Sequence, residues 1–136
     1  MLNEAQNRRV SVTLRSLEED LHDMERLLEG GDYIGIIHEM DNDIPARAKD
    51  ALNRKISQVK YRIRALAERF DLERQQVSVS RQLFARLTYD WTTIEEIKTR
   101  HLRGYGTTAE GLKETLDPEL DAIIGLIQEM ERLLNG

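Results

Sequence analysis

Apolar residues recur along this chain at alternating spacings of three and four. Val10, Leu14, Leu17, Leu21, Met24 and Leu28 form one run; Leu52, Ile56, Val59, Ile63, Leu66 and Phe70 form a second. Residues three and four apart share a helix face, so each run predicts a helix with one greasy stripe. A third run, Leu83, Phe84, Leu87, Trp91, Ile94, Ile97 and Leu102, is broader. The last, Leu116, Leu120, Ile123, Ile127, Met130 and Leu134, is widened by Ile124, Leu126 and Leu133. A face that wide needs more than one packing neighbour. The expected fold is all-α: an up-and-down four-helix bundle with a short crossover segment, one domain over residues 1–136.

Punctuation between the stripes sets the expected boundaries. The first helix spans Glu4 to Glu29 and stops at Gly30-Gly31, where glycine can turn left-handed. Asp32 to Ile44 is apolar enough to pack, and is read as a short helix capped by Asp32 across one end of the bundle. Asp41-Asn42-Asp43-Ile44-Pro45 marks the next helix start, with acids and proline in its first turn. The hardest stretch is Phe70 to Ser80. No proline or glycine falls between Pro45 and Gly104. One helix over that span would be about 90 Å long and would bury its seam in a coiled-coil-like dimer. A turn at 71–80 gives helices of matched length instead, with Asp71 and the serines as caps, and is preferred. The third helix then runs from Ser80 to Arg103. Thr92 with Glu95, and Thr93 with Glu96, have capping-box spacing and suggest a kink near Asp90. Thr107 with Glu110 repeats that spacing, and Asp117-Pro118 restarts or tightens the last helix.

Charge changes this picture by segregating. Residues 1–45 carry a net −7, residues 46–74 +5, residues 75–104 +2 and residues 105–136 −5. Glu18 and Glu25 flank the first stripe one heptad apart; Lys55, Arg62 and Arg69 flank the second seven apart. Such flanking charges select helix neighbours and register. With no cysteine there is neither a disulfide framework nor a thiolate metal site. No apolar run approaches a membrane span and no signal-peptide core stands at the start, so a soluble cytoplasmic protein is expected.

Chemistry-bearing patterns are sparse. Glu19-x-x-His22 has the spacing of a di-iron bundle half-site, but only one copy exists. His38 and His101 have no glutamate three residues before them. Neighbouring carboxylates such as Glu18/Glu19 and Glu95/Glu96 point to different sides of a helix and form no acid/base pair. No nucleophile motif or phosphate loop is present. The stretch Leu66–Arg81 resembles the helix-turn-helix of bacterial repressors: Ala67, Leu72 and Val77 fit its pattern, although Asp71 stands where that turn usually has glycine. The resemblance implies DNA contacts at Arg74, Gln75, Gln76, Ser78 and Arg81.

The function expected is that of a non-enzymatic helical interaction protein, pairing with itself or with another helical protein. It needs no catalytic residue, cofactor or metal. The candidate contact sites are Tyr33, Ile34 and Ile37 in the apolar crossover and Tyr105 in the glycine turn. A helix-turn-helix regulator is the alternative, and a metal-binding bundle a third.

Overall fold

The computed structural model describes Met1–Asn135. It is built of helices and one two-stranded hairpin, and it divides into two compact units, Met1–Gln75 and Gln76–Gly136.

The first unit is a helical hairpin. Helix α1 covers Glu4–Glu29, the span its stripe predicts. Asn3 caps it: its side chain accepts from the Gln6 N–H, and the Gln6 side chain accepts from the Asn3 N–H. These two bonds satisfy donors that no helix can satisfy by itself. At the other end Gly30 is extended, with φ −64°, and not left-handed as expected. The helix stops there because the Asn42 side-chain amide takes the Leu28 and Gly30 carbonyls, and the Asp32 carboxylate takes the Asn42 N–H. Those bonds close the neck of a β-hairpin.

That hairpin corrects the expectation of a short capped helix. Strand β1, Tyr33–Ile34, pairs antiparallel with β2, Glu39–Met40, Tyr33 opposite Met40. Gly35 donates to the His38 carbonyl at 2.8 Å, leaving Ile36 and Ile37 as the tip. A Cβ on Gly35 would lie 3.1 Å from the His38 carbonyl oxygen and nearer still to its ring, so a larger residue here must push the His38 ring aside. Asp32 therefore ties a loop instead of capping a helix. The β-branched Ile34, Ile36 and Ile37 favour extended backbone over helix. The segment stands in solvent and does not lie over a bundle end.

Helix α2, Ala46–Arg69, returns antiparallel to α1. Leu21 and Leu28 of α1 meet Ile56 of α2, with Leu17 and Ile63 packed around them. The helix ends in a Schellman turn. Asp71 is left-handed at φ 49°; its N–H reaches the Glu68 carbonyl, and that of Leu72 reaches Ala67. The uninterrupted helix from Pro45 to Gly104 is thus not formed. After the turn the chain crosses back to α1. Asn7 donates to the Phe70 carbonyl at 3.3 Å, and Arg15 donates to the Gln75 side chain at 2.7 Å.

The second unit pairs α3, Val79–Glu95, with α5, Leu112–Asn135. Ser78 caps α3 by accepting from the Arg81 N–H. The expected kink near Asp90 is absent: the Thr92 and Thr93 hydroxyls bond back to the Thr88 and Asp90 carbonyls and cap nothing. The break falls at Glu96, before a single-turn helix α4, Thr99–Leu102, and a 3-10 turn, Arg103–Tyr105. Asp117 and Pro118 do not restart α5, which runs through both. Its side towards α3 is anchored by Leu120 and Ile124, both buried.

Candidate interaction surfaces

Burial is thin in both units, and this decides which surfaces matter. Among the described residues the buried apolar side chains are Leu21, Leu28, Ile56, Leu120 and Ile124, and none of them is wholly shut off from water. Along α2 the stripe of six closes only at Ile56, which is 6% exposed. Leu52, Val59 and Leu66 remain 44%, 36% and 39% exposed. On α1, Met24 and Leu27 are open. On α5, Ile123, Leu126, Met130 and Leu133 form a second stripe, turned away from Leu120 and Ile124, that nothing within the unit covers. One layer of two helices shields only one side of each stripe.

The crossover candidates are all solvent-exposed. Tyr33 and Ile34 lie on β1 and Ile37 at the tip. The Tyr33 ring rests against His38, centroids 5.7 Å apart. Ile36, which lies within the same apolar segment, and Ile37 are each at least 95% exposed. Tyr105 is exposed at the end of the 3-10 turn.

The candidate DNA contacts do not share a helix. Arg74, Gln75, Gln76 and Ser78 fall on non-helical chain, and only Arg81 lies in α3. The reading helix implied by the repressor resemblance is not formed after Leu72, because the Schellman turn leads into extended chain. Gln75 is engaged by Arg15. Glu19 pairs with Arg15 at 3.6 Å, and His22 and His101 are exposed. Among the described residues no three His, Asp or Glu side chains gather as a metal site would require.

Polar groups across the second hairpin act as fasteners. The Thr88 hydroxyl donates to the buried Glu131 carboxylate at 2.6 Å. Asp117 accepts from both the N–H and the hydroxyl of Thr99, each at 2.9 Å, so it caps α4 from a neighbouring helix. The Thr99 N–H holds the Asp117 carboxyl below the usual carboxylate range; burial opposes this, and the Thr99 hydroxyl, Lys113 and Lys98 support it. Lys98 bonds to Asp121 at 2.5 Å and to Glu95 at 3.2 Å. Its ammonium is raised above its ordinary value, first by the Asp121 bond, with burial opposing and Glu95 adding.

In the first hairpin, Glu25 and Lys60 form the one ion pair between α1 and α2 among the described residues. Among the described residues the heptad cations Lys55, Arg62 and Arg69 make none. No described helix is long and apolar enough to cross a membrane. Comparison with protein-family models, with curated proteins and with solved structures gives no match to this chain.

Proposed function

We infer that this chain is a non-enzymatic helical interaction protein that works by associating with itself. The observation that carries the reading is the open stripe of α2, where Leu52, Val59 and Leu66 keep a third or more of their surface in water. Burying a wholly exposed side chain of this kind is worth about 1.5–3 kcal/mol, so closing the part still open adds roughly 0.5–1 kcal/mol for each. Several together, rimmed by charge, make a patch of the kind that marks a protein contact. Four-helix packing is the arrangement that covers both stripes of a hairpin. The apolar tip at Tyr33–Ile37 and the exposed Tyr105 are further contacts for a protein partner.

Multi-angle light scattering on the full chain at low and high salt tests this. The expected mass exceeds 15.8 kDa and falls towards it as salt screens the flanking charges. A mass of 15.8 kDa at every concentration contradicts self-association. Salt-sensitive binding to duplex DNA, lost on Arg74→Ala with Arg81→Ala, would favour the regulator instead.

A further inference from the structure

The geometry points to a particular partner and face: a second copy of this chain, docked hairpin against hairpin, the acidic α1 of each beside the basic α2 of the other. This rests on the self-association reading and adds which surface pairs with which.

The face comes from helix phase. At 3.6 residues per turn, Met24 is rotated roughly 50° from the line through Leu21 and Leu28. Leu52, Val59 and Leu66 are rotated by roughly the same angle, in the same sense, from the line through Ile56 and Ile63. Each rotation is taken looking along its own helix. Because α1 and α2 are antiparallel, equal rotations carry both open edges to the same side of the hairpin. Met24, Leu52, Val59 and Leu66 therefore share one uncovered face.

The partner comes from charge. Helix α1 carries seven acidic residues against four basic, and α2 eight basic against two acidic. Within the hairpin, Glu25–Lys60 is the one pair that uses this difference. Along the open edge of α2 stand Lys55, Arg62 and Arg69; beside Met24 stands Asp20, with Asp23 beyond Leu27. Among the described residues none of these five has an ion-pair partner. A two-fold axis parallel to the helices sets α1 antiparallel to the other copy's α2 at unchanged height. Asp20 and Asp23 then come within about one turn of the other copy's Arg62 and Lys55. The opposite stacking would set acid on acid. A second copy answers both edges, as an isologous interface requires. Apolar burial supplies the affinity and charge the pairing.

Two variants of the full chain test this. One carries Lys55→Glu, Arg62→Glu and Arg69→Glu, making both open edges of its hairpin acidic; the other carries Asp20→Lys and Asp23→Lys, making both open edges basic. All five positions lie outside the Leu21–Leu28–Ile56 core, and circular dichroism checks that each variant stays helical. Sedimentation equilibrium should show two copies for the natural chain and, for each variant alone, at least ~10-fold weaker association. An equimolar mixture should recover a species holding one copy of each, read by native mass spectrometry. If the triple variant loses helix, Arg62→Glu mixed with Asp20→Lys is read in the same way. Variants that associate as the natural chain does, or a mixture that stays monomeric, overturn this face while leaving self-association standing. A natural chain that is monomeric overturns both.

Discussion

Ile56→Ala removes the one buried side chain of α2. Three methyl or methylene groups are lost, worth about 0.8 kcal/mol each, or roughly 2.4 kcal/mol in transfer terms. A cavity adds to that in a thick core, where isoleucine-to-alanine changes cost about 2–5 kcal/mol. Here the walls are thin: Leu52 and Val59 on either side are already part exposed, so water enters the space and the cavity contribution is small. The expected loss is therefore about 2–3 kcal/mol, at the low end of that range. Urea titration followed by far-ultraviolet circular dichroism measures it, at one fixed protein concentration because association adds to apparent stability. Ile36→Ala, an identical chemical change at the exposed tip, should stay within about 0.5 kcal/mol of the natural chain. An Ile56→Ala loss below about 1 kcal/mol, or one equal to that of Ile36→Ala, would refute the claim that this contact holds the hairpin together.

The second hairpin contains the chain's single tryptophan, Trp91, so its unfolding can be followed by fluorescence. Thr88→Val leaves the buried Glu131 without its hydroxyl donor and should destabilise that hairpin by about 1–3 kcal/mol by the same readout. Asp117 is held below its ordinary value of 3.8, so its bond to Thr99 stabilises the folded state above that pH and is lost as pH falls through the lower folded value. Asp117→Ala should lower the Trp91 melting temperature at pH 7 and flatten its decline in acid; an unchanged acid limb would contradict this. Gly35→Ala should push the His38 ring off Tyr33, seen as altered His38 ring shifts in NMR spectra, with helix content unchanged.

The helices were legible where one signal dominated. The α1 stripe ends at Gly30-Gly31, and its observed limits are those the stripe predicts. The break after Phe70 is preferred only because it gives helices of matched length, since the stripe itself continues in phase across it. The β-hairpin was not legible, because Asp32 serves equally as a helix cap or a loop tie. Which role it takes depends on Asn42, ten residues away. The same ambiguity hid Asp117, which caps the helix beginning at Thr99 and not its own. Thr92 and Thr93 have cap spacing, yet their hydroxyls found carbonyls one turn back. Among candidate surface residues, Tyr33, Ile34, Ile37 and Tyr105 were legible as apolar residues in turn-rich chain. The cross-helix cation was expected among Lys55, Arg62 and Arg69. It is Lys60, because those three face the open edge and Lys60 faces α1.

With no cysteine in the chain, a single thiol placed at Val59 reports on the open face alone. Its rate of reaction with a thiol reagent, compared with that of a thiol at Tyr61 on the opposite side of α2, tests most directly whether a second copy covers that face. The expected result is a Val59→Cys rate that falls as protein concentration rises while the Tyr61→Cys rate stays constant. A Val59→Cys rate that is the same at every concentration would contradict it.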